Sequence, residues 1–253
     1  MHIEVSGGGP DLVLLHGWGV NALVWEETAA ALAQRFRVHN DDLPGHGRSP
    51  ACTPCDLYTL TAALAAELPP RATICGWSLG GQLAINWART RPRQVERLVL
   101  IATTPRFVRA KEWDCGIERA VLDDFAENLT RDWRETLHRF NALQAKGDAH
   151  ARRVSRRLRE CLFARGEPVP AALAAGLNIL RQTDLRAELT HIAQPTLILH
   201  GACDDVVPVA AGEYLQRTLP CATLDVFDGT SHALPVAQPQ RAALRIEEFC
   251  GGA

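Results

Sequence analysis

Short apolar runs recur along the chain at residues 12–15, 36–39, 73–76, 97–102, 196–200 and 223–227. Most are apolar at successive positions rather than alternate ones, which is the pattern of strands in a parallel sheet covered on both faces. Between them, amphipathic spacing predicts helices over residues 22–34, 57–67, 79–90, 209–218 and 238–249. Strand alternating with helix predicts an α/β fold, with a mostly parallel central sheet covered by helices on both faces.

One stretch breaks the alternation. From residue 107 to 186 the spacing is helical only, as in Leu122, Phe125, Ala126 and Leu129, then Leu137, Phe140, Leu143 and Gln144. A long helical stretch between two strands of one sheet predicts an inserted all-helical cap. The expected division is a core in two parts, 1–106 and 187–253, around a cap at 107–186.

Composition narrows the class. The chain has 253 residues, 47% of them hydrophobic, which suffices for one domain with a buried core and excludes a disordered tail or a disulfide mini-protein. A formal net charge of -2 provides no global field for nucleic acid or an anionic membrane, so neither is expected as a partner. The first ten residues are polar and glycine-rich, and the run at 12–15 is too short for a signal-peptide core or a membrane span. A cytoplasmic protein, monomeric, is expected. Eight scattered cysteines fit free thiols in a reducing compartment, and Cys52-Thr-Pro-Cys55, lacking a second ligand pair, reads as a loop rather than a metal site. No metal and no cofactor is expected.

The chemistry gathers at three places. Gly76-Trp77-Ser78-Leu79-Gly80 follows an apolar run and opens a helical pattern, which is the strand-turn-helix setting of a G-x-S-x-G nucleophile elbow. A serine nucleophile needs a base, and the base needs an acid to orient it. Downstream, the loop after the 196–200 run offers Asp204, with Asp205 as competitor, and the loop after the last strand offers His232. Asp204 is preferred, because a helix starting after Pro208 gives Asp205 a solvent or capping role. An oxyanion hole requires two backbone N–H donors: Leu79, directly after the nucleophile, and Trp18, in the loop Leu15-His16-Gly17-Trp18-Gly19. In that loop His16 reads as a structural hydrogen-bonder.

His16-Gly17-Trp18-Gly19, Asp42-Leu43-Pro44-Gly45-His46-Gly47 and Gly76-Trp77-Ser78-Leu79-Gly80-Gly81 together resemble the α/β-hydrolase superfamily across the core. Serine rather than aspartate in the elbow speaks against its haloalkane dehalogenase and epoxide hydrolase branches. Within the superfamily the chain resembles the BioH-type carboxylesterases of biotin synthesis, which remove the methyl ester from pimeloyl-[acyl-carrier protein]. The elbow, the segment 139–144 and the later Asn178-Ile179-Leu180-Arg181-Gln182-Thr183-Asp184-Leu185-Arg186 carry that likeness. It implies Ser78, Asp204 and His232 as the triad. It also implies a substrate site at Trp18, Leu79, Phe140, Asn141, Ala142, Leu143 and Gln144, and an acyl-carrier protein bearing a pimeloyl methyl ester as partner.

The cap charge bears on that partner. Residues 131–165 hold ten basic side chains against four acidic ones, on a chain that is otherwise acidic. Arg152, Arg153, Arg156, Arg157 and Arg159, with Arg139 nearby, are expected to form a guanidinium face that docks an acidic carrier, a solvated helix face being the plain alternative. Other readings of the chain are a general short-chain carboxylesterase that needs no carrier, a C–C bond hydrolase, and a non-catalytic receptor of the same fold.

Overall fold

The computed structural model describes residues 1–251; the last two residues of the expected 187–253 core segment lie outside the described residues. Seven strands form one sheet: β1 (His2–Gly7), β2 (Asp11–Leu15), β3 (Arg37–Asp42), β4 (Ala72–Trp77), β5 (Val95–Ile101), β6 (Thr196–Gly201) and β7 (Ala222–Phe227). Their order is β1-β3-β2-β4-β5-β6-β7, parallel except for β1, which runs antiparallel to β3.

The sheet explains the apolar runs. Val13 and Leu15 of β2 join one buried cluster, and Leu12 and Leu14 join a second one on the opposite face. Alternate side chains of a strand point to opposite faces, so a strand covered on both sides must be apolar at successive positions. The first face is covered by α2 (Leu57–Glu67), α3 (Leu79–Thr90) and α8 (Val209–Thr218), the second by α1 (Glu26–Leu32) and α10 (Pro239–Gly251).

Between β5 and β6 come α4 (Arg119–Arg131), α5 (Trp133–Gln144), α6 (Ala151–Leu162) and α7 (Pro170–Gln182). Leu137 and Leu173 of α5 and α7 pack into the first cluster, whereas Val154 and Leu158 of α6 pack into the second. These helices therefore reach over the carboxyl edge of the sheet to both faces. No helix among the described residues is long and apolar enough to cross a membrane.

Three local expectations are corrected. The glycine-rich start holds an edge strand, β1, whose alternating Ile3 and Val5 lie opposite Asp41 and His39. The helix expected over 22–34 divides into a 3-10 turn, Ala22–Trp25, started by an Asn21 cap on Leu23 N, and the shorter α1. Residues 107–118 are not helical: Arg106 bridges Asp184, Val108 bridges Ile117, and Ala110 bridges Trp113. At the other end, the helix expected over 238–249 is α10, preceded by one short turn, α9 (Leu234–Ala237).

Candidate active site

Ser78 sits between β4 and α3 with φ +55° and ψ -114°, a left-handed conformation that costs energy for a residue with a side chain. The glycines around it make the turn possible. A Cβ at Gly76 would lie 2.2 Å from Gly80 O, and one at Gly80 would lie 2.4 Å from Leu15 O, so strand and helix meet only where no side chain intervenes. The strained turn is then fastened: Ser78 N donates to Ile101 O at 2.9 Å, and Ser78 O accepts from Thr103 Oγ1 at 2.6 Å and Gly81 N at 2.9 Å.

The serine meets its partners. His232 Nε2 lies 3.0 Å from Ser78 Oγ, and His232 Nδ1 lies 2.8 Å from Asp204 Oδ2. All three residues are buried. Asp204 is fixed on its other oxygen, since Oδ1 accepts from Val206 N at 2.9 Å and Val207 N at 2.8 Å. With both carboxylate oxygens engaged, Nδ1–H is the donor to Asp204 and Nε2 is free to take the serine proton. Asp205 points away, pairing with Lys146 Nζ at 3.0 Å, and its side chain is half exposed. Beneath the acid lies His200, whose Nε2 donates to Val207 O at 2.8 Å and stands 3.6 Å from Asp204 Oδ2. Burial lowers the His200 pKa, so the ring stays neutral and does not compete for the carboxylate.

Leu79 is the first residue of α3, where a helix leaves its N–H without an intrahelical partner. The Gly17-Trp18 backbone lies against the nucleophile: a Cβ at Gly17 would be 3.4 Å from Ser78 Cβ. His16 holds this loop, with Nδ1 donating to Gly17 O at 2.8 Å and Nε2 accepting from Leu43 N at 2.9 Å. Both bonds need a neutral ring, and burial, with the nearby His46, depresses its pKa to about 3.

Above Ser78 opens a cavity of about 180 Å³ whose walls include Trp18, Phe107, Phe125, Phe140 and Leu180, with Asp205 at one side. Trp18 and Phe140 meet edge to face at 5.2 Å, and Phe125 packs on both rings. The segment expected to line the substrate site is divided by helical geometry. Phe140 and Leu143 face the cavity. Asn141 and Gln144 turn inward and bond to each other, Gln144 Nε2 donating to Asn141 Oδ1 at 3.0 Å, while Ala142 faces an outer groove. The cavity lining thus includes Phe140 and Leu143 and leaves out Asn141, Ala142 and Gln144: Asn141 and Ala142 lie about 100° and 200° around the helix from Phe140, and Gln144, though one turn on from Phe140, is held by its bond to Asn141.

The expected arginine face is divided in the same way. Arg152, Arg156 and Arg159 fall within about 60° on the α6 wheel and line the outer groove with Lys146. Arg153 and Arg157 lie on another side. Arg153 Nη2 donates to Ala237 O at 2.7 Å, and Arg157 pairs with Glu26. Arg139, on α5, pairs with Glu135 at 2.9 Å. Lys146 lines the groove and Asp205 lines the cavity, so their ion pair is the boundary between the two.

Several residues about the site carry no signal in the sequence. Trp77 Nε1 donates to His232 O at 2.9 Å, and Ser231 and Asp148 bond beside the histidine. These contacts join positions more than eighty residues apart, which no local pattern reveals. All eight cysteines are free thiols, Cys52 and Cys55 lying 3.3 Å apart, with the Cys55 thiol pushed up to about 12 by burial and its neighbour. Among the described residues no group of three or more His, Cys, Asp or Glu side chains could hold a metal ion.

Comparison with known proteins bears on the fold and the family. The family model for the alpha/beta hydrolase fold matches residues 10–236. The pimeloyl-[acyl-carrier protein] methyl ester esterase of Nitrosomonas europaea is 46% identical over 241 residues, spanning 95% of this chain and 96% of that protein. The protein of the same name from Aromatoleum aromaticum is 44% identical, spanning 96% of this chain and 99% of its own length. Among solved structures, an esterase from Exiguobacterium antarcticum superposes with a TM-score of 0.89 at 23% identity, covering 99% of this chain and 95% of that one, a likeness of fold.

Proposed function

We infer that this chain, which belongs to the alpha/beta hydrolase fold family and within it to the pimeloyl-[acyl-carrier protein] methyl ester esterases, is a serine carboxylesterase that hydrolyses the methyl ester of pimeloyl-[acyl-carrier protein] to the free acid and methanol. The observation that carries the chemistry is the hydrogen-bonded series Ser78–His232–Asp204 on the floor of an apolar cavity.

On this reading Ser78 Oγ attacks the ester carbonyl carbon while His232 Nε2 accepts its proton. Asp204 holds the Nδ1–H tautomer and stabilises the imidazolium. The carbonyl oxygen, as it becomes negative, is received by the Trp18 N–H of the loop after β2 and by the Leu79 N–H at the α3 N-terminus, where the helix dipole favours negative charge. His232 then protonates the departing methoxide oxygen, and methanol leaves. A water, deprotonated by the same nitrogen, cleaves the acyl-serine. The product is a carboxylate, which an apolar cavity disfavours relative to the neutral ester, so the walls favour release.

Residues 107–186 act as the cap, and the groove of Lys146, Arg152, Arg156 and Arg159 is the docking site for the acidic carrier, with the acyl arm passing the Lys146–Asp205 pair toward Ser78. Mass spectrometry of carrier-bound pimeloyl methyl ester incubated with the enzyme tests the reaction. A loss of one methyl ester, abolished by Ser78→Ala, is expected; an intact ester with wild-type enzyme would refute the reading.

A further inference from the structure

The base loop is held from two sides, and one of them is not the hydrolase core. Residues 228–233 connect β7 to α9 without regular structure, yet they must bring both ring nitrogens of His232 to fixed partners. On the core side, Trp77 Nε1 donates to His232 O at 2.9 Å and Cys203 N donates to Thr230 O at 2.9 Å. The other side is supplied by the turn between α5 and α6. Ser231 N donates to Asp148 Oδ2 at 3.0 Å, Ala233 N donates to Gln144 O at 3.2 Å, and Ala149 N donates to Gly229 O at 2.8 Å. Ser231 Oγ donates to Gln144 O at 2.8 Å and lies 3.3 Å from Asp148 Oδ2. The N–H groups flanking His232 therefore end on the last residue of α5 and on the turn that follows it.

We propose that Asp148 is a positioning residue for the base, fixing His232 through Ser231. The inference rests on the triad reading above. Asp148 is buried, and its second oxygen accepts from His150 N at 2.8 Å, so one carboxylate joins the start of α6 to the histidine loop. Ser231 is itself fully buried, and its N–H loses its acceptor once the carboxylate is gone. The loop then relaxes to satisfy that donor, and the imidazole moves with it. Catalytic geometry is steep in distance: a displacement of about 1 Å costs about 100-fold in rate. Lys146 of the same turn also pairs with Asp205, next to the acid.

The test uses the intact enzyme and a free aryl ester, p-nitrophenyl butyrate, which needs no carrier. Folded enzyme is counted by fluorophosphonate labelling carried to its end point, so that misfolded protein is removed from the rate while serines that label slowly are still counted. Asp148→Ala is expected to lower kcat per titrated serine by about 30- to 100-fold with KM within about twofold, because substrate binding is untouched while the base is misplaced. Asp148→Asn can still offer its one oxygen to Ser231 N, though its NH2 then meets His150 N–H, so it is expected to fall between wild type and Asp148→Ala, within about tenfold of wild type. A residue that only stabilises the fold would lower the melting temperature and the titratable fraction but leave kcat per serine unchanged, and that result overturns the proposal. If Asp148→Ala yields no folded protein, Asp148→Ser, too short to reach Ser231, is read by the same criteria. Ser78→Ala separates the two claims. Retained activity there defeats the triad reading, whereas an inactive Ser78→Ala beside a fully active Asp148→Ala defeats only the positioning role.

Discussion

Replacing Asp204 by asparagine changes one atom in the site and should nearly abolish turnover. Asp204 Oδ1 accepts from two backbone N–H groups, of Val206 and Val207, and that pair selects which end of an amide fits. The asparagine oxygen must take the Oδ1 position, so its NH2 takes the place of Oδ2, 2.8 Å from His232 Nδ1. Two donors cannot face each other, so Nδ1 becomes the acceptor and the ring proton moves to Nε2, against Ser78 Oγ. A histidine protonated there cannot receive the serine proton. The wrong tautomer costs on the order of 10⁴-fold in kcat, or about 5 kcal/mol in barrier. Asp205→Asn is the matched control, since its half-exposed pair with Lys146 contributes at most about 1 kcal/mol. The assay is kcat on a free aryl ester, with circular dichroism to establish that both variants fold. An Asp204→Asn enzyme within tenfold of wild type, or an Asp205→Asn enzyme as impaired as it, would refute the reasoning.

Reversing Arg152 and Arg156 to glutamate should lower kcat/KM on the carrier-bound ester at least about tenfold more than on a free ester, the difference shrinking as salt is raised; equal losses on both substrates would count against the groove. Phe140→Ala removes one ring of the edge-to-face cluster on the cavity wall, so KM should rise more for a seven-carbon acyl ester than for an acetate, and a length-independent change in KM would contradict that wall as the acyl site. His16 gives a pH signature. Its folded pKa is depressed to about 3 from 6.5, so between those values the unfolded chain binds the extra proton, and its contribution to stability, present above about pH 6.5, is lost as pH falls. Buried His46 and His200, both lowered by desolvation, act in the same direction. Urea unfolding at pH 7 and pH 5 should show lower stability at pH 5, less so in His16→Asn, and an identical pH dependence in that variant would remove His16 as a cause.

Much of this site is legible in the chain because its parts are local. The elbow is a run of five residues whose glycines are dictated by contacts such as Gly80 against Leu15 O, and it predicts Ser78 and Leu79 together. Apolar runs reveal the covered strands for the same reason, each face having its own cluster. Legibility fails where a role depends on a distant partner. Arg153 and Arg157 look like members of a basic face until Ala237 O and Glu26 are seen beside them. Similarly, β1 is polar and half exposed, and only its pairing with β3 makes it a strand. Residues 107–118 carry helical spacing, yet the bridges to Asp184, Ile117 and Trp113 decide their backbone. Asp148 gives no hint at all, because its meaning lies in Ser231, far along the chain.

The most direct measurement of the central claim is kcat/KM for pimeloyl-carrier methyl ester against dimethyl pimelate, at the same salt and pH, with Ser78→Ala as control. The account predicts a preference of about 100-fold or more for the carrier ester, from electrostatic capture at the Lys146, Arg152, Arg156 and Arg159 groove, vanishing with the serine. An equal or greater kcat/KM on dimethyl pimelate would contradict it, leaving a general carboxylesterase with a solvated basic groove.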